Sequence, residues 1–188
     1  MSVLPKPRLH GDEPYRSDDD LASAVRDGEG AALAALYHRY ARDLMAVAYR
    51  LLMSRADAED VLHDVFVGLP EALRRYEPRG TLKGWLKRVT VRVALTRLRR
   101  ARARREVTLD DAPTVAGRFG EVSDTIALAD ALASLPPPLR AVVVLKEIEG
   151  YSHEEIGELL GISRGASEVR LHRAMRRLRA RLGDGGER

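Results

Sequence analysis

Arginine gives this sequence its clearest chemical signal, because the residue is concentrated in two clusters that lie far apart in the chain. One cluster occupies nine residues in the middle of the chain, and the other lies near the C-terminus. A guanidinium stays charged at neutral pH and donates paired hydrogen bonds to phosphates and to guanine edges. The two clusters consist of Arg97, Arg99, Arg100, Arg102, Arg104 and Arg105, and of Arg164, Arg170, Arg173, Arg176, Arg177, Arg179 and Arg181.

The stretch between the two clusters carries the opposite charge. Residues 106–130 contain six acids and a single basic residue, Arg118. Either arginine cluster alone is compatible with a solvated helix face. Two basic tracts separated by an acidic stretch better suit an anionic polymer that is contacted at two places. A membrane surface is disfavoured, because no strongly apolar face flanks either tract.

No motif in the sequence indicates that the protein is an enzyme. His153 begins an HEE sequence without the second histidine of a zinc-binding HExxH, and no phosphate-binding GxxxxGK[ST] loop occurs. Cysteine is absent, and the five histidines form no metal-ligand spacing with the acids. We therefore expect no catalytic residue, no metal site and no cofactor.

Composition and length favour a small helical protein. The 188 residues suffice for one domain or two small ones, and 45% of them are hydrophobic. No apolar run is long enough for a transmembrane span, and the first residues lack the apolar core of a signal peptide. We expect a cytoplasmic protein without membrane insertion.

Apolar residues at helical spacing predict the elements that position the arginines. One helix is predicted from Ala31 to Leu51 and a second from Ala56, which should kink or restart at Pro70. A turn at residues 76–80 precedes a helix that carries Leu82 to Leu98 on its inner side and runs into the first arginine cluster. No strand pattern appears.

The fold class is therefore predicted to be all-α, with two small helical domains joined by a flexible linker. Prolines, glycines and acids interrupt the helical pattern between the domains. The predicted segments are a disordered lead (1–17), a first domain (18–103), a linker (104–123), a second domain (124–183) and a tail (184–188).

The second domain contains the pattern of a helix-turn-helix. Ser152 and Glu155 form a capping box, Gly161 ends the first helix, and Ser163 begins a long second helix. In such a unit the second helix enters the major groove of DNA. The predicted base-reading residues are Ser163, Arg164, Gly165, Glu168, Val169 and His172, and the predicted phosphate contacts are Arg173, Arg176 and Arg177. Glu168 could alternatively form an i,i+4 bridge to His172 or pair with an i,i+3 neighbour.

Three segments of the chain together resemble a known family. They read ALYHRYARDLMAVAYRLLMSRADAEDVLHDVF (35–66), RGTLKGWLKRVTVRVALTRLRR (79–100) and LPPPLRAVVVLKEIEGYSHEEIGELLGISRGASEVRLHRAMRRLR (135–179). In order and spacing they are similar to the sigma-70 family of RNA polymerase specificity factors, in the extracytoplasmic-function (ECF) subgroup that keeps only domains two and four.

The resemblance implies a dissociable subunit of RNA polymerase. It would bind the β and β′ subunits of the core enzyme, melt the promoter −10 element with domain two and read the −35 element with domain four. Core binding would fall to an acidic helix face made of Glu59, Asp60, His63 and Asp64. The −10 contacts would come from Arg79, Lys83, Trp85, Lys87, Arg88, Arg92, Arg99 and Arg100.

Two features of this assignment stay open. Trp85 fits either a stacking surface for a single strand or the core, because its spacing with Leu82 and Val89 is that of a buried face. The family's −10 helix usually carries Arg-Asn followed by Asp, where this chain has Val91, Arg92 and Thr96. The usual −10 preference is therefore not carried over.

The −35 helix departs from the family as well. Ser167 stands where the family has a buried valine, and Glu168 stands where it has a basic residue, so an unusual −35 sequence is expected.

The implied partners are core polymerase, promoter DNA and an anti-sigma protein. The competing hypothesis is a conventional DNA-binding regulator that needs no polymerase, which would explain the C-terminal helices but not the acidic face or the tryptophan-bearing basic helix.

Overall fold

The computed structural model describes residues 17–77, 80–108 and 123–183, and within these segments all regular structure is helical. The helices are α1 (Asp18–Arg26), α2 (Gly30–Leu52), α3 (Arg55–Arg74), α4 (Leu82–Thr108), α5 (Ser123–Ala133), α6 (Pro137–Val143), a π-helical turn (Val144–Ile148), α7 (His153–Leu160) and α8 (Arg164–Gly183). The all-α prediction is confirmed. The predicted lead and tail, and most of the predicted linker, lie outside the described residues. None of the described helices combines the length and apolarity that crossing a membrane requires.

Helices α1 to α4 pack against one another and form what we call the N-terminal domain. Helix α2 contacts the other three, and it does so through one stripe that includes the fully buried Leu36, Leu44 and Leu51. Each such leucine contributes roughly 1.5–3 kcal/mol by leaving water. This stripe is the one that the apolar spacing of the sequence predicted.

Helix α1 was not predicted, although its start follows a recognisable rule. The Ser17 hydroxyl accepts from the Asp20 amide (3.1 Å), and the Asp20 carboxylate accepts from the Ser17 amide (3.0 Å). This capping box satisfies two amides of the first turn. Leu21 and Val25 are then buried against the rest of the domain.

Helix α3 runs through Pro70 without restarting, so the predicted restart there is wrong. A proline inside a helix costs one hydrogen bond and crowds the preceding turn. Leu69 and Leu73, on either side of the proline, are buried. Packing of these side chains holds the last turns of α3 in place despite the proline.

Helices α5 to α8 form what we call the C-terminal domain, in which α8 packs on α6 and α7. The helical pattern of the sequence, which Gly150 closes, predicts one helix from Leu139 to Glu149. Instead, α6 is followed by a wider π-helical turn, closed by the bond from the Glu149 amide to the Val144 carbonyl (3.0 Å). The wider turn ends the helical segment at Glu149.

The two domains pack against each other, which the sequence did not predict. Helix α2 contacts α6, and α4 contacts α7. Arg140 of α6 is 6% exposed, and its Nε donates to the carbonyl of Leu51 at the end of α2 (3.2 Å). Just beyond Leu51, Met53 ends the helix in the left-handed region at φ 53°. Arg140 thus supplies a donor to a helix end whose last carbonyls lack partners within the helix.

Candidate nucleic-acid interface

The α7–turn–α8 unit has the caps that the sequence predicted. The Ser152 hydroxyl accepts from the Glu155 amide (3.2 Å), and the Glu155 carboxylate accepts from the Ser152 amide (2.9 Å). These bonds lower the pKa of Glu155. Gly161 ends α7 at φ +67°, and the Ser163 hydroxyl accepts from the Ala166 amide (3.1 Å) at the start of α8.

A close approach of backbone to backbone sets the geometry of the turn. A Cβ on Gly157 would lie 2.7 Å from the carbonyl oxygen of Ile162, a distance that real Cβ atoms essentially never show. The Ile162 amide donates to the Gly157 carbonyl (3.0 Å). Glycine at position 157 therefore lets the two helices meet closely enough to form a helix-turn-helix.

The predicted base-reading residues all lie on the exposed side of α8. The opposite side packs inward through Ser167 and Ala174, both fully buried. The exposed residues are Ser163, Arg164, Gly165, Glu168, Val169 and His172, with the predicted phosphate contacts Arg173, Arg176 and Arg177 also exposed. An exposed first turn followed by cations further along is the arrangement that groove reading requires.

Ser167, at the position where the family resemblance implies a buried valine, is buried, and the structure gives its hydroxyl a partner. His153 Nδ1 lies 2.9 Å from Ser167 Oγ. A buried hydroxyl without a partner would cost about 1–3 kcal/mol. The bond therefore fixes the contact between the start of α7 and the first turns of α8.

Arg164 does not extend freely into solvent in this structure. Its Nη1 donates to Glu154 of α7 (2.6 Å), and its Nε donates to Glu168 one turn along α8 (2.8 Å). The bond to Glu168 is the leading cause that raises the pKa of Arg164 and lowers that of Glu168. We call this trio the Arg164 clamp. Glu168 therefore does form a bridge within its own helix, but its partner is Arg164, one turn earlier, and not the predicted His172 or an i,i+3 neighbour.

The predicted −10 residues of α4 form a basic face. Three of its cations, Lys83, Lys87 and Arg88, are paired with carboxylates. Lys83 Nζ lies 2.5 Å from Asp43 of α2, and this hydrogen bond raises the pKa of Lys83. Two further pairs reach the C-terminal domain. They are Lys87 with Glu149 (2.7 Å) and Arg88 with Glu155 (3.7 Å).

Trp85 packs against the core, as one of the two interpretations of its spacing predicts, and its stacking on a single strand stays a prediction. Its ring packs on the core and is only partly buried, with its centroid 4.9 Å from that of Tyr76. The two rings are tilted by 54°. The aromatic ring at this position is held by packing and is partly exposed.

Of the four remaining predicted −10 residues, the structure describes three. Arg92, Arg99 and Arg100 are exposed on α4. Arg92 and Arg100 line a groove of about 290 Å³ together with Asp64 of α3. The groove therefore joins the basic helix to the predicted acidic face. Arg79 lies outside the described residues.

The predicted polymerase-binding residues Glu59, Asp60, His63 and Asp64 are all exposed along α3. Two of the carboxylates are already paired. Glu59 accepts from Arg55 (2.8 Å), and Asp60 accepts from Arg97 of α4 (2.5 Å). Arg97 also donates to Asp57 (2.7 Å), and these bonds raise its pKa.

The sequence assigned no role to Asp43, Glu149 or Glu154, and it placed Arg97 only in the first arginine cluster. Each of them pairs with a predicted site residue. Their partners lie far away in the chain; Lys87 and Glu149, for example, are 62 positions apart. Among the described pairs that include a predicted site residue, Arg164–Glu168 and Arg55–Glu59 have the i,i+4 spacing that sequence patterns reveal. Sequence reasoning thus found the exposed faces and missed the carboxylates set against them.

Two family models match the chain. The model of Sigma-70 region 2 covers residues 36–104, and the model of Sigma-70, region 4 covers residues 125–178. The first contains α3 and most of α2 and α4, and the second contains most of the helix-turn-helix. The two matches therefore enclose every predicted site residue.

Known proteins that are similar to this chain are named as sigma factors too. It is 36% identical over 176 residues to the ECF RNA polymerase sigma factor SigE of Mycolicibacterium smegmatis, covering 87% of this chain and 68% of that protein. It is 34% identical to the ECF sigma factor SigM of Mycobacterium tuberculosis, covering 92% and 88%. Among solved structures, it is similar to the sigma factor RpoE of Bartonella quintana in complex with the anti-sigma factor NepR, with TM-score 0.59, 25% identity and coverage of 78% and 92%.

Proposed function

This chain belongs to the sigma-70 family, in its ECF group, and from that premise we propose how its residues divide the work of directing RNA polymerase to promoters. Promoter-directed transcription is the function of the family, and RNA polymerase is its partner. The observation that carries the residue-level proposal is the presence of two separate exposed basic surfaces, on α4 and on α8, beside an acidic face on α3.

The C-terminal domain reads the −35 element through the exposed side of α8. Arg164 is placed in the first turn, where a recognition helix reaches base edges, and its guanidinium can donate to guanine. Arg173, Arg176 and Arg177 lie further along and contact phosphates, which supplies affinity without sequence choice. The buried Ser167 and the Arg164 clamp set the orientation of this face.

The N-terminal domain handles the −10 element through α4. Extruding a base from the duplex costs a few kcal/mol, and a protein without a nucleotide-driven motor recovers this cost from contacts with the open strand. The partly exposed Trp85, beside Lys83, Lys87 and Arg88, offers an aromatic surface with cations around it. Arg92, Arg99 and Arg100 extend the basic surface, and Arg79, which lies outside the described residues, is given the same task by the family resemblance alone.

Core polymerase binds the acidic face of α3. Glu59, Asp60, His63 and Asp64 present carboxylates on a rigid helix, which suits a basic surface on the β′ subunit. The carboxylate of Asp60 must exchange Arg97 for a partner on polymerase, whereas Asp64 has no ion pair among the described residues. Asp64 is therefore the better single test of docking.

Three further parts of the proposal follow from the same family role. The protein works in the cytoplasm, where core polymerase is found, and it has no catalytic site, metal or cofactor of its own. The likeness to a sigma factor bound to an anti-sigma factor supports an anti-sigma partner for this chain as well.

Run-off transcription with purified core polymerase on genomic fragments tests the function. We expect specific transcripts only when this protein is added. The competing hypothesis, a polymerase-independent regulator, predicts instead that the full-length chain alone binds duplex promoter DNA with sequence preference. Absence of any specific transcript, together with such binding, would replace the sigma-factor role with that of a regulator.

The docking assignment predicts that Asp64→Lys weakens binding to core polymerase at least about tenfold, an effect of about 1.4 kcal/mol. The reason is the loss of an exposed carboxylate and its replacement by a charge that repels a basic partner. The matched control is Asp27→Lys, also exposed, at the end of α1, where a cation is favoured by the helix dipole. Both variants should keep the helical circular-dichroism spectrum, and equal core affinity of the two would remove α3 as the docking face.

A further inference from the structure

Val169 places an apolar side chain on the face of α8 that the proposed function assigns to the −35 element. The residue is 49% exposed, although valine is among the residues most often found in protein cores. Its neighbours on this face, Glu168, His172 and Arg173, are polar and exposed. Packing within the described part of the chain therefore leaves much of the Val169 side chain without an apolar partner.

Gly165 leaves open space beside Val169. The two residues are four positions apart on α8, which makes them neighbours on the helix surface. Helical side chains lean towards the N-terminus of their helix, so the isopropyl group of Val169 leans towards Gly165. A Cβ on Gly165 would meet nothing within 4 Å beyond the backbone of its own helix and its chain neighbours. We call this open space, with Val169 as its wall, the α8 recess.

Nothing in the described part of the chain requires glycine at position 165. Its φ lies outside the left-handed region, and no close packing excludes a side chain there. Glycine also weakens a helix relative to alanine. A helical position that has room for a Cβ but lacks one is suited to the close approach of a group from outside the protein.

The chemistry of the α8 recess selects among the four bases. Each base pair presents a distinct pattern in the major groove, and most of that pattern consists of hydrogen-bond donors and acceptors. The C5 methyl of thymine is the apolar exception, and apolar side chains contact it. Because an isopropyl group has no donor or acceptor, it gains from this methyl and from no polar base edge. The recess therefore fits thymine.

We propose that the α8 recess holds the C5 methyl of a thymine in the −35 element, and that Val169 is a specificity-determining residue of this protein. The inference rests on the proposed −35 role of α8. Arg173 follows Val169 by one helical turn and Arg176 follows it by two, and both are exposed. Their contacts with phosphates fix the register of the helix, so that the recess meets the same base pair in every complex.

Glu168, the residue before Val169, does not oppose this preference. A carboxylate can accept from the amino group of cytosine and so favour a different base. Here its Oε1 accepts from Arg164 Nε (2.8 Å), within the Arg164 clamp. No atom of the Glu168 side chain comes within 4 Å of the position that a Gly165 Cβ would take. The recess is therefore bordered by Val169 and left open by its charged neighbour.

The test deletes the methyl from the DNA and the recess from the protein. Holoenzyme made of core polymerase and the full-length chain first selects −35 sequences from a random library by run-off transcription. Each thymine of the selected element, on either strand, is then replaced singly by deoxyuridine, which lacks only the C5 methyl.

Two variants alter the recess, and a third is the matched control. Val169→Ala shortens the wall, and Gly165→Ala fills the recess with a Cβ at a position where alanine favours the helix. The control is Leu128→Ala, which shortens an apolar side chain that is 43% exposed in the same domain. Transcription is measured at subsaturating holoenzyme, so that it reports promoter affinity.

We expect deoxyuridine at one −35 position to weaken transcription by the wild type about fourfold, which corresponds to the burial of one methyl group. Val169→Ala and Gly165→Ala should transcribe the thymine and deoxyuridine templates equally, whereas Leu128→Ala should keep the full difference. The inference is overturned if no deoxyuridine affects the wild type, or if Val169→Ala keeps the full difference. A loss in Val169→Ala of equal size on both templates would assign Val169 to a protein partner instead. Specific transcription without any methyl effect thus overturns only this inference, whereas the absence of specific transcripts from the wild type would remove the proposed function and this inference with it.

Discussion

Ion pairing decides what each charged side chain of this protein can do. A lone arginine near DNA is attracted to any phosphate, but the guanidinium of Arg164 is held by two carboxylates and the trio carries a net negative charge. Such a trio is repelled by phosphates. Its Nη2 donors take no part in the two bonds of the clamp, so they can still donate to a base edge.

We therefore expect Arg164 and Arg176 to make different kinds of contact. In the holoenzyme, Arg164→Ala should cost about 1–3 kcal/mol on −35 sequences that contain its preferred base and much less on others. Arg176→Ala should weaken all −35 sequences alike and lower the salt dependence by about one counterion. Transcription from a library of −35 sequences at several salt concentrations measures both effects.

The carboxylates of the clamp provide a control within the same experiment. Glu154→Gln keeps an oxygen that can accept from Arg164 and removes one charge, so it should strengthen binding to all −35 sequences and reduce discrimination. Glu158→Gln, exposed on the same helix, removes the same charge away from the clamp. Equal and sequence-independent losses from Arg164→Ala and Arg176→Ala would show that α8 reads DNA through other residues.

At the scale of the element, tertiary contacts hold helices that their own sequence supports weakly. Helix α1 has nine residues, and isolated helices of this length are marginal in water. Asp18 in its first turn accepts from the Tyr40 hydroxyl (2.5 Å) and from Arg39 (3.2 Å), both on α2. These bonds connect the start of α1 to the middle of the N-terminal domain.

The Tyr40 bond predicts a dependence of stability on alkaline pH. Burial and the bond to Asp18 raise the pKa of Tyr40 from 10.0 to about 12 in the folded chain. Since the folded state holds the proton more tightly, the stabilisation is complete below pH 10 and is lost as pH rises towards 12. Tyr40→Phe should cost about 1.5–3 kcal/mol at neutral pH, because the lost bond has a charged acceptor.

The measurement is the free energy of unfolding by denaturant from neutral pH to pH 12. The difference between wild type and Tyr40→Phe should shrink across the upper part of this range. Tyr37→Phe, a change at a tyrosine of the same helix that is 46% exposed, controls for loss of a phenol. A constant difference at all pH values would mean that Asp18 and Tyr40 do not interact as this structure indicates.

The elements that the sequence predicted well are those with long apolar periodicity. Helices α2, α4 and α8 fall into this class, because one buried stripe recurs over several turns. The start of α1 and the π-helical turn before Glu149 were missed. The start of α1 has a local signal in its capping box, but its nine residues show too little apolar periodicity, and its distant pair of Asp18 with Tyr40 appears in no local pattern.

The candidate site divides in the same way. Exposed faces follow from helical periodicity, so α3, α4 and α8 were assigned their outer residues from sequence alone. The pairings of Lys87 with Glu149 and Asp60 with Arg97 require knowledge of which helices meet. Charge patterns along the chain cannot supply this, because 32 basic and 28 acidic residues allow far too many pairings.

At the scale of the whole molecule, the two domains share an interface that should make them unfold together. Arg140 joins three backbone carbonyls, one on α2 and two at the end of α5 and the turn after it. Without Arg140, these carbonyls remain buried but have no donor as long as the domains stay closed. Each buried carbonyl without a donor then costs about 1–3 kcal/mol. The domains would then gain by separating, and each would unfold on its own.

Trp85, the single tryptophan, makes this coupling measurable. Its fluorescence reports the N-terminal domain, whereas far-ultraviolet circular dichroism reports helices in both domains. In the wild type the two midpoints of denaturant unfolding should coincide, and in Arg140→Met they should separate, because methionine fills the space but donates to no carbonyl. Arg42→Met, at an exposed position of α2, should leave the midpoints together. Midpoints that already differ in the wild type would show that the interface adds no cooperativity, whereas coincident midpoints in Arg140→Met would assign the coupling to contacts other than Arg140.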